Sequence, residues 1–346
     1  MKLVTFAGGA KNGTVDSAGP RLGALTDDGS LLDLAVAYRD RFGSNSPVYA
    51  SMQSLIEAGP PALDLARELV ESMPNAARIE TGPGGTQLQL FAPLPVPMQL
   101  RDFMGFETHV RQAGHSMMRL QAKARGDAEA LAEIERAGAP RPMDAWFHQP
   151  LYYKCNRFAV AGTDTDLVWP AYSSLMDFEL ELAVVIGRQG RDIPREAAGN
   201  YIFGYTIYND FSARDAQAAE MGGPLGPAKG KDFDGANVMG PCIVTADEID
   251  APYDLTMIAR VNGEEWTREH SGSIHWTFED MIAHVSRGET LYPGEIFGSG
   301  TVGNGCGLEH MRFLNHGDLV ELEIPPIGVL RNRVWAPHLS THQETP

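Results

Sequence analysis

The chain has 346 residues, 43% of them hydrophobic and 21% charged, a balance that supports a sizeable core and excludes global disorder. Its 45 Asp and Glu against 28 Lys and Arg give a formal net charge of -17, which disfavours nucleic acid and anionic membranes as partners. No apolar run approaches the roughly 20 residues that span a bilayer, and the widely separated Cys155, Cys242 and Cys306 fit a reducing cytoplasm rather than a disulfide framework or a CxxC zinc site.

The N-terminal run Met1 to Gly9 is too short for a signal peptide and reads as a first strand. Residues 23–34 read as a hairpin with Asp28-Gly29 as its turn. Ser54 to Met73 has helical spacing interrupted by Gly59-Pro60-Pro61, which predicts two short helices. Pro93, Pro95 and Pro97 then mark a stiff linker, so residues 1–95 are expected to form a small unit and 96–346 the main one. A helix is predicted over 116–137, broken near Gly126-Asp127 and stopped at Gly138, with Pro140 and Pro142 beyond. From residue 150 onward strands dominate, at 158–161, 179–186, 201–208, 238–245, 255–262 and 318–324. The expected fold class is α+β, mainly β: a mostly antiparallel core with a smaller N-terminal α/β unit.

Chemistry gathers in the second half. Met176 to Gly187 is an apolar strand carrying Glu179 and Glu181 two residues apart, hence on one face. Either that face is solvated, or something positive sits between the carboxylates, and a hard divalent cation is the simplest candidate. The strand 201–208 runs into Asn209-Asp210-Phe211-Ser212-Ala213-Arg214-Asp215-Ala216-Gln217. Asp210 or Ser212 could cap a short helix there. If the helix starts after Asp210, then Asp210, Arg214 and Gln217 share a face, offering a carboxylate, a guanidinium and an amide. Gly226 to Asp234 places Lys229 and Lys231 among glycines, either as an exposed turn or as a loop that approaches a ligand closely. Gly298-Ser299-Gly300-Thr301-Val302-Gly303 spells GxGxxG, but Asn304-Gly305-Cys306-Gly307 follows instead of a helix, so dinucleotide binding is rejected. No HExxH, His-Cys cluster or GxSxG elbow is present.

In this order, Asp177 to Glu181, Asn209 to Asp215, Gly226 to Phe233 and Gly298 to Gly303 resemble the fumarylacetoacetate hydrolase family over roughly 95 to 335. The resemblance implies a C-terminal β-sandwich roll with the site at its mouth, a smaller N-terminal domain, and a homodimer. It implies a divalent cation, Mg²⁺ first with Ca²⁺ or Mn²⁺ as alternatives, on Glu179, Glu181 and Asp210, with Glu107 as a fourth ligand. Arg214, Gln217, Lys231 and Thr301 fall on positions that contact substrate or stabilise a carbanion, and Tyr153 on a substrate-contacting aromatic position. For the general base the resemblance offers two histidines. His109 closely follows the first acid, as in the smaller acylpyruvase-like relatives, yet where those place a Glu three residues later this chain has Gln112. His115 stands where fumarylacetoacetases proper carry a base paired with a distant Glu, here Glu309. His109 is favoured. The segment 116–145 is longer than in the small relatives, so the lid over the site is expected to differ.

The expected activity is metal-dependent hydrolysis of a carbon–carbon bond in a β-diketo acid of fumarylacetoacetate or acylpyruvate type, with a small carboxylic acid as substrate. A hydratase, isomerase or decarboxylase working through the same metal enolate is the alternative. A silent metal-binding protein is disfavoured, because ion binding needs neither Lys231 nor Arg214.

Overall fold

In the computed structural model the described residues are 1–8, 19–26, 28–72, 74–81, 88–223 and 225–340. Gly9 of the expected first strand, Asp27 beside the hairpin turn and Met73 at the expected helix end lie outside them.

A large sheet runs through the molecule. From its N-terminal edge the path is Arg78–Ile79, Leu31–Asp33, Arg21–Leu25, Lys2–Ala7, Asn237–Thr245, Ile202–Asp210, Leu180–Ile186, Ile296–Gly298, Leu100–Phe103 and Tyr152–Lys154. Most pairs are antiparallel, and Ile296–Gly298 with Leu100–Phe103 is parallel. The expected hairpin forms with Gly23 opposite Asp33, and Gly29 turns the chain at φ 81°, a conformation that favours glycine. Helices Met52–Ala58 and Pro60–Ser72 match the pair read from the sequence. The first strand pairs with Asn237–Thr245, Lys2 opposite Val244, so the N-terminal segment extends the central sheet.

A second sheet takes Glu264–His270, Thr256–Val261, Leu319–Ile324, Gly328–Trp335 and Leu167–Val168 in that order. The strand Leu180–Ile186 is buried along its whole length. Its even residues Leu180, Leu182, Val184 and Ile186 share one core with Met257, Ala259 and Leu322 of the second sheet. Its odd residues Ala183 and Val185 join a separate core with Leu3, Leu100 and Ile243. Burying each Leu, Val or Ile contributes about 1.5–3 kcal/mol, so both faces fix the register of this strand. A slip of one residue would turn Glu181 into the sandwich core.

The helix expected from 116 begins at Glu107 and runs to Ala124. The break is where the sequence put it: Gly126 has φ 67°, and Asp127 caps the next helix, Ala128–Ala137, by accepting from the Ala130 N–H at 2.9 Å. Among the described residues, no helix is long and apolar enough to cross a membrane.

Candidate active site

Three strands of the large sheet each bring one acid to the same place. Ala183 lies opposite Gly298, and Gly298 lies beside Asp102 on the parallel neighbour. On the other flank, Leu180 pairs with Asn209, next to Asp210 at the end of its strand. Gly298 leaves the space between them: a Cβ there would fall 2.7 Å from Asp102 Oδ1 and 2.8 Å from Glu181 Oε2. Glu179 enters from the residue just before the strand, where it bridges to Cys306. Asp102, Glu179, Glu181 and Asp210 are all buried and each offers an oxygen within 4.8 Å of the others.

Two cations offset part of this charge. Lys231 Nζ donates to Glu179 Oε2 at 2.7 Å and to Asp210 Oδ2 at 2.6 Å. Arg214 lies 2.8 Å from Glu179 Oε1 and 2.7 Å from Asp177 Oδ2. Tyr153 donates its hydroxyl to Asp210 Oδ2 at 2.6 Å, and the Gly300 N–H donates to Glu181 Oε2 at 3.0 Å. Asp102 Oδ1, Glu181 Oε1 and Asp210 Oδ1 have no hydrogen-bond partner. Buried acceptors without partners are rare in folded proteins. A carboxylate from each of three strands, each with a free oxygen and a fourth carboxylate beside them, is an all-oxygen donor set that fits a hard divalent cation.

The electrostatics agree. Burial, reinforced by neighbouring carboxylates, pushes Asp102 and Glu181 well above the usual carboxylate range. Burial raises Asp210 to about 6 against the pull of Lys231. Glu179 is also buried, but Lys231 and Arg214 together hold it below the ordinary range. The ion-free folded chain therefore keeps protons on Asp102, Glu181 and Asp210 that the unfolded chain would release. Their contribution to stability is lost as pH rises through the raised values. A bound cation displaces those protons, so its affinity moves the other way. The rise in Tm caused by a fixed concentration of Mn²⁺ is expected to be larger near pH 8 than near pH 6, the level of Asp210. Scanning fluorimetry at the two pH values checks this, and an equal or smaller rise at the higher pH contradicts it.

Asp102, Glu179 and Glu181 form the floor of a cavity of about 340 Å³, and Asp210, held by Lys231 and Tyr153, does not itself line it. Tyr153, Gln217, Lys231, Thr301 and His109 also line it. Thr301 Oγ1 is buried and unpartnered. Gln217 Oε1 accepts from Arg214 Nη1 at 2.9 Å, which leaves the amide nitrogen as the Gln217 donor for the cavity. Gly230 packs against Gln217, where a Cβ would fall 2.7 Å from the Gln217 Cβ, so the loop that delivers Lys231 needs glycine at that point. His109 sits in the first turn of the helix Glu107–Ala124, with Nδ1 3.4 Å from Glu309 Oε1. Glu309 is itself fixed by the backbone N–H groups of Asn304 at 3.0 Å and Cys306 at 3.1 Å.

Five expectations need correction. Glu107 is 44% exposed in its side chain and lies 3.9 Å from Arg111, outside the cluster. Asp102 stands in its place, because the parallel pairing with Ile296–Gly298 carries Asp102 to the floor while the turn into the helix carries Glu107 away. His115 Nε2 lies 3.1 Å from the Ile134 carbonyl oxygen of the neighbouring helix and does not line the cavity. The Glu309 assigned to His115 is instead the neighbour of His109. Arg214, expected to clamp a substrate carboxylate, is 1% exposed and engaged by Asp177, Glu179 and Gln217. It is a strut behind the floor. The expected Asp210–Arg214–Gln217 helix face does not form either, because Asp210 still belongs to its strand and the helix begins at Arg214.

Sequence reasoning passed over Asp102 and gave Asp177 no role. Asp102, next to Arg101 in the short strand Leu100–Phe103, left no spacing signal of its own. The glycine motif 298–303 forms a loop, with Gly300 at φ 80° and no helix before Gly307–His310, consistent with a role at the carboxylate floor.

The profile of the fumarylacetoacetate (FAA) hydrolase C-terminal family matches residues 120–335. A Bos taurus protein named oxaloacetate tautomerase FAHD2A, mitochondrial, is 36% identical over 187 residues, a stretch covering 54% of this chain and 59% of that protein. The match thus spans under two thirds of that relative. A Xenopus laevis protein named oxaloacetate tautomerase fahd2, mitochondrial, is 29% identical over 96% of this chain and 90% of its own length. Among solved structures, fumarylacetoacetate hydrolase from psychrophilic Exiguobacterium antarcticum aligns with TM-score 0.67 at 24% identity, covering 96% of this chain and 99% of that one. Maleylpyruvate hydrolase from Sphingobium sp. SYK-6, in complex with manganese(II) and pyruvate, aligns with TM-score 0.67 at 23% identity over 97% of this chain and 99% of that one. With a profile match across most of the sandwich and an acidic floor built on three of its strands, the chain belongs to the fumarylacetoacetate hydrolase family.

Proposed function

We propose that the protein is a divalent-metal-dependent enzyme that hydrolyses a carbon–carbon bond in a β-diketo acid of acylpyruvate type. The observation that carries this reading is the meeting, at one cavity, of a four-carboxylate cluster, three members of which line it, with His109, whose Nδ1 stands 3.4 Å from Glu309. Asp102, Glu179, Glu181 and Asp210 would hold the cation, which when bound polarises substrate oxygens as a Lewis acid. Mg²⁺ and Mn²⁺ both suit an all-oxygen donor set, and the Sphingobium protein of the same fold is recorded with manganese(II) and pyruvate.

The chain's own residues supply the rest. Glu309 Oε1 stands 3.4 Å from His109 Nδ1, an atom with no hydrogen-bond partner, and closing that gap would orient the ring so that Nε2 can take a proton from water. The resulting hydroxide adds to the carbonyl carbon remote from the carboxylate. The bond between that carbon and the methylene then breaks, and the methylene keeps the electron pair. Lys231 and the Gln217 amide offset the negative charge this places on the departing enolate. The proton that His109 took from water passes to the methylene, giving a pyruvate-type acid, and the new carboxylic acid releases its own proton to solvent.

A tautomerase or isomerase reading is the second. It is favoured by the relatives named oxaloacetate tautomerase. It uses the same floor and needs proton transfer at carbon without attack by water.

Turnover of acetylpyruvate, fumarylpyruvate, fumarylacetoacetate and oxaloacetate, with Mn²⁺ and with EDTA, tests the proposal. Metal-dependent appearance of a cleaved acid supports it. Keto–enol exchange of oxaloacetate with no cleavage of any diketo acid would move the assignment to the second reading. His109→Asn is expected to lower kcat for cleavage by about 10²–10⁴ while leaving the Mn²⁺-induced rise in Tm intact, whereas His115→Ala leaves both unchanged. Wild-type cleavage by His109→Asn would remove His109 from the mechanism.

A further inference from the structure

The cavity changes character from floor to mouth. Below, it is lined by carboxylates, Lys231, Gln217 and Thr301. Above, the wall is formed by Met104, Leu151, Tyr152, Met221, Leu225 and Pro227. Met104, Met221 and Leu225 are 37%, 49% and 96% exposed. Large apolar side chains exposed together around one opening mark a binding surface, and two of these are methionines, whose flexible thioethers adapt to varied apolar shapes.

Positive charge is confined to the floor. Besides His109, Lys231 is the one basic side chain among the described lining residues, and its ammonium is held between Glu179 and Asp210 at 2.7 and 2.6 Å. Arg214 is sealed behind the floor. The net charge of -17 adds a field that repels a further anion. A substrate carboxylate can therefore be offset only at the floor, beside Lys231 and the proposed cation. A second carboxylate at the far end of the substrate would meet a wall with no cation, in which the Tyr152 hydroxyl is the one side-chain donor, too little to replace its water, which is costly.

We infer that this enzyme's substrate is a monocarboxylic 2-oxo acid whose far end is an uncharged, apolar tail lying on the Met104–Leu151–Met221 wall. The inference rests on the metal-dependent 2-oxo acid reading above. Each methylene of the tail that this wall removes from water is expected to raise kcat/KM by up to about fourfold.

The test compares hexanoylpyruvate with adipoylpyruvate, which ends a tail of the same length in a carboxylate, using the full chain loaded with Mn²⁺. In parallel, binding of 2-oxooctanoate and 2-oxosuberate, which cannot undergo the cleavage, is followed by thermal shift. Tenfold or greater preference for the apolar member in both pairs is expected. If neither diketo acid is cleaved but 2-oxooctanoate still binds at least tenfold more tightly, the cleavage reading fails and the tail inference stands. Equal or tighter binding of 2-oxosuberate overturns the inference whatever the reaction. Met221→Lys, at an exposed position just after the helix Arg214–Glu220, is expected to narrow the preference severalfold. An unchanged ratio in that variant, with its Mn²⁺-induced Tm rise intact, would also count against the apolar wall as the tail site.

Discussion

Glu181→Gln is expected to lower kcat/KM by about 10³ and to abolish the Tm rise that Mn²⁺ gives the wild type. Glutamine keeps the shape of the side chain, and its carbonyl oxygen can still accept the Gly300 N–H now donated to Glu181 Oε2 at 3.0 Å. What is lost is one negative charge among four buried carboxylates. A cation that contributes several kcal/mol of charge stabilisation in the transition state accounts for roughly three orders of magnitude at 1.36 kcal/mol per tenfold. The ion-free variant should be no less stable than the ion-free wild type, because burial and the nearby Asp102 already oppose ionisation of Glu181. Scanning fluorimetry with and without Mn²⁺ separates these effects. A wild-type metal response in the variant would show that Glu181 is not part of the cation site.

Arg214→Met is expected to destabilise the fold by about 3–5 kcal/mol, read as a lower denaturant midpoint. Arg214 is the cation through which Asp177 and Glu179, both buried, meet. Removing it leaves both carboxylates without their guanidinium in a low-dielectric interior. Asp177 also accepts from the Gly307 and Leu308 N–H groups at 2.7 and 2.8 Å. Those residues open the short helix Gly307–His310 that carries Glu309, the partner of His109. The strut therefore links the floor to Glu309 and His109, and activity should fall beyond what lost stability explains. Arg214→Lys is not expected to rescue either, because one ammonium cannot reproduce the fork that spans Asp177, Glu179 and Gln217. A midpoint within experimental error of wild type for Arg214→Met would contradict this account.

The parts of the site that follow from local spacing were legible in the sequence. Glu179 and Glu181 share a face because the side-chain period of a strand is two, and the structure places both at the floor. The Asp28-Gly29 turn and the break near Gly126 were legible because glycine at positive φ leaves a sequence mark. Asp102 was not, because only the parallel register with Ile296–Gly298, nearly two hundred residues away in sequence, brings it to the other acids. The helix start at Glu107 was hidden by Thr108, Val110 and Gly114, all weak helix formers. That start is what separates the two histidines. At about 100° per residue, His109 and His115 point to different sides of the helix, one toward Glu309 and the other toward the helix Ala128–Ala137. Arg214 was misplaced for a related reason: the spacing argument assumed a helix from Asp210, but the strand runs on to that residue.

The most direct test of the divalent-cation centre is calorimetric titration of Mn²⁺ into the ion-free protein in two buffers of different protonation enthalpy. Binding of one ion per chain with release of protons is the predicted result, because the raised Asp102 and Glu181 carboxyls must ionise to serve as ligands. No binding at millimolar Mn²⁺, or binding of unchanged strength in Asp102→Asn, would contradict a cation held by these four carboxylates.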